Sequence, residues 1–75
     1  MQKTKDPIEI SKVLRELRGV RTRTGVAKEI GISYSMLTKI EDGIRTPSDD
    51  LQKRIANYYG VPVENIFYTA KYAEK

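Results

Sequence analysis

The sequence predicts an all-α fold, with five short helices in one compact domain. Three observations predict it. Apolar residues recur at the three- and four-residue spacing of a helix in successive segments. Glycines close most of those segments, and a capping residue or a proline opens them. No stretch alternates apolar and polar residues as a strand would, and the chain has neither an internal repeat nor a low-complexity run.

Met1 to Asp6 is polar and is expected to be loose. Asp6 caps the first helix, and Pro7 suits its first turn, where the missing N–H has no helical partner to lose. Ile10, Val13, Leu14 and Leu17 form the inner face, and Gly19 ends the helix. Arg21 and Thr22 lead into the second helix, with Thr22 as its cap. Gly25 lies inside that helix at a cost of ~1 kcal/mol relative to Ala. A close approach by another backbone, DNA included, explains it as well as a tolerated weak spot does. The third helix runs from Tyr34 to Asp42 and ends at Gly43, and Ile44 to Thr46 form a loop. Thr46-Pro47-Ser48-Asp49 reads as the start of the fourth helix, with Pro47 near its first position and Asp49 reaching back. Asp49 and Asp50 place negative charge where the helix dipole favours it. Leu51, Ile55, Ala56 and Tyr59 face inward, and Gly60 closes the helix. Val61-Pro62 opens a short fifth helix from Val63 to Phe67 or a little further. Tyr59 and Phe67 are expected in the core. The domain proper is residues 7–68. Residues 69–75 form a C-terminal extension that lengthens the fifth helix, makes an arm or stays unstructured.

The stretch RTGVAKEIGISYSMLTKIED, residues 23–42, carries the most information. Val26, Ala27 and Ile30 share one face of the second helix. Ala27 is small where the third helix crosses close to it. Gly31 stands at the helix C′ position, where positive φ is needed. Ser33 can accept a bond from the free N–H groups of the next helix. Leu37 and Ile40 then form the inner face of that helix. This is a helix-turn-helix pattern, whose second helix enters the DNA major groove. An ordinary helical hairpin needs no particular residue at so many consecutive positions.

Composition narrows the function classes. The chain has no Cys and no His among its 75 residues, which removes disulfides, the commonest zinc ligands, the usual thiol nucleophile and the usual general base. No remaining constellation assembles a nucleophile with its base, so a non-enzymatic role without metal or cofactor is expected. No apolar run approaches a membrane span and no signal-peptide core opens the chain, so a cytoplasmic address is the default. The net charge of +4 and the pI near 9.5 suit a polyanion partner. Between Ile8 and Ile30, six basic residues (Lys12, Arg15, Arg18, Arg21, Arg23, Lys28) stand against three acidic ones.

From Leu17 to Phe67, the phrases VAKEIGIS, IEDG, the proline that opens the fourth helix and YYGVPVENIF follow one another in a familiar order. In these the chain resembles the lambda-repressor-like DNA-binding domains, the Cro-type or XRE family. The resemblance implies a five-helix bundle whose second and third helices form the DNA-binding unit. It also implies a transcriptional regulator that binds double-stranded operator DNA, usually as a homodimer. The chain departs from the pattern in three places. The link at Gly19 is short, Arg23 stands where Gln is common, and Pro62 replaces the usual Ser cap of the last helix.

The outward face of the third helix is Tyr34, Ser35, Thr38 and Lys39, the candidates for base contact. By resemblance, Tyr34, Ser35 and Lys39 match positions that meet base edges. Lys39 can donate to guanine O6 or N7; Ser35 is short and reads little alone. Tyr34 can pack on a thymine methyl or bond a phosphate, and Thr38 can do either. Met36 reads as a packing residue. Phosphate contacts are expected at helix N-termini and in the loop after the third helix. Arg23 is the first candidate, then Arg45 with the backbone of Gly43 and Thr46; Arg21 and Lys28 are further candidates, or plain surface charges. By resemblance, Arg18 late in the first helix pairs with Glu41 and ties the first helix to the third. Tyr58, Tyr68 and Tyr72 are a candidate dimer contact, since interfaces favour aromatics. The alternative function is an antitoxin-type or other protein-binding module that uses this fold to hold a protein partner.

Overall fold

Every helix but the last begins at a residue whose side chain accepts a backbone N–H. The computed structural model describes residues 4–69, and among them are five helices and no strand: α1 (Pro7–Arg18), α2 (Arg23–Ile30), α3 (Tyr34–Glu41), α4 (Asp49–Tyr59) and α5 (Val63–Phe67). The Asp6 carboxylate accepts from the Ile8 amide at 3.1 Å, Thr22 Oγ1 from Gly25 at 3.0 Å and Ser33 Oγ from Met36 at 3.0 Å. These acceptors satisfy N–H groups that the first turn of a helix leaves without a partner. Pro62 precedes α5 with no side-chain cap.

The fourth helix starts later than the sequence suggests. Its cap is Ser48, whose Oγ accepts from the Leu51 amide at 3.3 Å, and Asp49 is the first helical residue. Pro47 therefore sits outside the helix. It is buried, and its carbonyl takes a 3.4 Å bond from Gln52 Nε2. Two acceptable starts lie side by side in the sequence, and the burial of Pro47 selects the second. Gly25 finds a local explanation. A Cβ there would lie 3.1 Å from the capping Thr22 Oγ1, so the missing side chain leaves room for the cap.

Two helix ends need glycine for reasons of backbone shape. Gly31 has φ 91°, and the amides of Gly31 and Ile32 both donate to the Ala27 carbonyl at 2.9 Å. Gly43 has φ 76°; its amide donates to Ile40 at 3.1 Å and that of Ile44 to Lys39 at 2.9 Å. Both ends carry the six-to-one bond of a Schellman turn. Space is also tight at Gly43, since a Cβ would come within 3.2 Å of Pro7 Cβ. The end of α3 thus folds tightly against the start of α1.

The core is built by one apolar stripe from each helix. Ile10 and Leu14 of α1, Val26, Ala27 and Ile30 of α2, Leu37 and Ile40 of α3, Ile55 and Ala56 of α4, and Ile66 and Phe67 of α5 are all buried. Burial of such side chains is worth ~1.5–3 kcal/mol for each large one. Phe67 lies in this core as expected, whereas Tyr59 is only half-buried at its edge. Thr4 and Lys5 are not loose, contrary to the expectation for the first six residues. Thr4 forms an isolated antiparallel bridge with Tyr68, and the Lys5 amide donates to the Phe67 carbonyl at 2.8 Å. The two ends of the described segment meet there because α1 and α5 pack side by side.

Candidate nucleic-acid interface

α2 and α3 are joined by Gly31, Ile32 and Ser33, and α3 shows two unlike faces. Leu37, Ile40 and Glu41 are buried on one side. On the other, Tyr34 is 53% exposed, and Ser35 and Lys39 are exposed beside it. Three of the four candidate base readers therefore share an open strip over the first two turns. Thr38 differs. The residue is half-buried, and its hydroxyl is shut off from solvent without a hydrogen-bond partner among the described residues. In this rotamer it has no hydroxyl to offer a base or a phosphate. Met36 packs against the core, as the sequence suggests.

The inner end of α3 is held by charge. The Glu41 side chain is completely buried, with 0% exposure. Arg18 Nε donates to both of its oxygens, at 3.1 and 3.0 Å, which is the pair expected between the first and third helices. Arg23 is a second partner: its Nε donates to Glu41 Oε1 at 3.1 Å, and its Nη2 lies 3.6 Å from Asp42 Oδ1. Burial alone would lower the pKa of Arg23; the Glu41 and Asp42 carboxylates outweigh it, and the net direction is up. The outermost pair, Arg15 with Asp42 at 3.5 Å, is exposed. Ser11 Oγ adds a bond to the Glu41 carbonyl. Three helices thus meet at one carboxylate. Arg54 of α4 secures the other helix of the unit, donating to the Ile30 carbonyl at 2.6 Å.

This geometry revises the list of phosphate candidates. Arg23, first on that list, has its guanidinium committed to two carboxylates. The Gly43 amide is committed to Ile40, so Gly43 supplies no free donor. Arg45, Thr46 and Lys28 are exposed and remain candidates. Arg21 is exposed too, but it donates to the Leu17 carbonyl at 3.0 Å and lies 5.8 Å from the ring centres of both Tyr58 and Tyr59.

The candidate dimer contact is also partly spent inside the chain. Tyr58 is half-buried and donates to Glu29 Oε1 at 2.5 Å; that bond, then burial and the Glu29 charge, raise its pKa. Tyr68 is half-buried and donates to Gln52 Oε1 at 3.2 Å. Tyr72 and the rest of the C-terminal extension from residue 70 lie outside the described residues.

The contacts that the sequence reading missed are Arg23 with Glu41, and Asp42 with Arg15 and Arg23. A signal exists for the contact from α1 alone: the adjacent acids Glu41 and Asp42 at the end of α3 match two basic residues one turn apart, Arg15 and Arg18, at the end of α1. No described helix is long and apolar enough to cross a membrane.

Residues 9–66 match the family described as the helix-turn-helix domain. The chain is 39% identical over 46 residues to an uncharacterized HTH-type transcriptional regulator of Methanocaldococcus jannaschii, an alignment covering 61% of this chain and 70% of that protein. No solved structure matches. The matched span runs from α1 through the capped turn to α5, and the chain belongs to the helix-turn-helix domain family.

Proposed function

We propose that this protein is a sequence-specific, double-stranded DNA-binding transcriptional regulator that lays α3 in the major groove. The observation that carries the reading is the two-sided character of α3. Its inner face is locked to α1 and α2, while Tyr34, Ser35 and Lys39 stand exposed on a helix of eight residues. A helix of that size fits the major groove, where each base pair shows a distinct pattern of donors and acceptors. Lys39 donates to guanine O6 or N7, and Tyr34 packs on a thymine methyl or reaches a phosphate. Arg45 and Thr46, with Arg21 and Lys28 behind them, hold the sugar–phosphate backbone. The name borne by the archaeal relative supports the regulatory part of the reading.

One such helix reads only a few base pairs. Two copies on inverted half-sites, their helices ~34–36 Å apart, mark a longer site. The homodimer on DNA is therefore part of the proposal.

The test is selection of a duplex from a random pool, followed by titration against that duplex and a scrambled one. Between about 50 and about 200 mM salt, affinity should fall steeply and linearly on logarithmic axes. The selected sequences should contain two related half-sites in inverted orientation. Equal affinity for both duplexes, or binding indifferent to salt, would overturn the proposal.

A further inference from the structure

We propose that Arg23 is a positioning residue: it fixes the angle of α3 against α2 rather than gripping a DNA phosphate. The inference rests on the DNA-binding reading above and deepens it.

The geometry is that of a brace. Arg23 is the first residue of α2, and the carboxylates it meets, Glu41 and Asp42, lie at the last residue of α3 and at its C-cap. The turn at Gly31–Ser33 joins the other ends of the two helices. α2 and α3 are therefore linked twice, covalently at the turn and by ion pairing at the open end. Without the second link, α3 keeps its tie to α1 through Arg18 and Ser11 but loses the bond that sets its angle to α2. Leu37 and Ile40 limit its depth, but apolar contacts are not directional.

Phosphate binding competes with this brace. The Arg23 Nε is 3.1 Å from a carboxylate oxygen that has no exposure to water. Turning to a phosphate would remove a partner from a buried charge, with no solvent to replace it. Arg23 is also 25% exposed, so it is not a free surface charge. Its loss still leaves a folded protein, because Arg18 bonds both oxygens of Glu41. That separates positioning from mere folding and makes substitution informative.

The experiment compares the full chain with Arg23→Gln and Arg23→Lys. In the first arm, with no DNA present, amide hydrogen exchange is followed by NMR. Positioning predicts that α3 amides exchange about tenfold faster in Arg23→Gln while those of α4 change little. In the second arm, each protein is titrated over a range of salt against the duplex selected by the wild type and a scrambled duplex. The preference for the selected duplex should fall about tenfold, the scale of one mismatched base pair. The salt slope should stay unchanged. Arg23→Lys separates the two roles further. Lysine replaces a phosphate contact as a point charge but does not span two carboxylates, so it should fail to restore the preference. A salt slope reduced by about one in Arg23→Gln, full restoration by lysine and unchanged exchange in α3 would each overturn the proposal. Should the wild type select no duplex, the functional reading falls, and the exchange arm still decides the role of Arg23 in the free protein.

Discussion

Replacing Glu41 with Gln should cost this protein a large part of its stability. The change keeps the shape and volume of the side chain, so no cavity opens and the effect isolates the charge. Glu41 receives three N–H···O contacts from two arginines, at 3.0 to 3.1 Å. Hydrogen bonds to a charged group are worth roughly 1.5–3 kcal/mol each, and breaking a buried ion pair costs ~3–5 kcal/mol. Two features reduce that figure. Glutamine keeps one acceptor oxygen, and Arg18 and Arg23 are 18% and 25% exposed, so water solvates part of what they lose. One feature restores it: the new amide NH2 turns a donor towards an arginine donor. About 3 kcal/mol is the balance. A domain of this length holds ~4–11 kcal/mol in total, and each kcal/mol moves the melting temperature by about 4–8 °C.

Urea denaturation at neutral pH, followed by circular dichroism, measures the loss directly. The slope with urea should stay constant, so that the midpoint alone reports the change. A control replaces the whole cluster, Arg18→Met, Arg23→Met and Glu41→Leu together. Such replacement leaves no unpaired charge and is near neutral or stabilising where it has been tried. A loss below about 1 kcal/mol in Glu41→Gln would refute the reasoning, because it would mean that the cluster is as weak as an exposed ion pair.

Three other expectations follow from single side chains. Tyr59→Phe should raise stability by about 1 kcal/mol, since the buried hydroxyl of Tyr59 has no hydrogen-bond partner among the described residues. Burial first, then the charges of Glu41 and Tyr58, raise Tyr59 from 10.0 to about 12. A raised group favours the native state fully below its unfolded value and loses that contribution as pH rises through its folded value, so wild-type stability should decline between pH 10 and about 12. The difference between wild type and Tyr59→Phe, followed by urea titration across that window, should show the decline; a constant difference would refute the shift. Gly31→Ala should destabilise by more than about 1 kcal/mol, because φ is 91° and the new methyl would sit 2.8 Å from Arg54 Nη2; thermal melting checks it. Lys39→Ala should weaken binding to a selected duplex by ~1–3 kcal/mol with little change on a scrambled one, and an equal loss on both would make Lys39 a phosphate contact.

What the sequence made legible was local. Asp6, Thr22 and Ser33 act on amides two or three residues away, and Gly31 and Gly43 on carbonyls within the preceding turns. Such ends depend on neighbours in the chain, and they follow from residue type. The start of α4 was legible only to within two residues, because Thr46 and Ser48 are both competent caps and the burial of Pro47 decided between them. The site divides in the same way. The open strip of Tyr34, Ser35 and Lys39 follows from helical spacing once Leu37 and Ile40 face inward. The state of the Thr38 hydroxyl does not, since it depends on a rotamer and on neighbours distant in the chain. Arg23 was the least legible of all. An arginine reaches several ångströms in any direction, the stretch from Arg15 through Arg45 holds five of them with both ends included, and its partner is 18 residues away. Arg18 could be assigned by family pattern; Arg23 departs from that pattern.

The contrast between these arginines bears on why so small a domain keeps a buried carboxylate at all. An apolar cluster in the same place would be at least as stable by the usual energetics of buried ion pairs. But α3 has only eight residues, with Leu37 and Ile40 as its two fully buried apolar anchors. Two anchors on one side of a two-turn helix fix its depth and leave its tilt to weaker forces. Hydrogen bonds from α1 and α2 that converge on Glu41 restrict that tilt, because they are directional. A helix that reads base edges depends on tilt more than on depth, since hydrogen bonds fail within fractions of an ångström. On the proposed function, the cluster should therefore have its main consequence in discrimination between DNA sequences. The triple apolar variant is the place where stability and discrimination come apart: a protein that melts no earlier than the wild type, and reads its site less well.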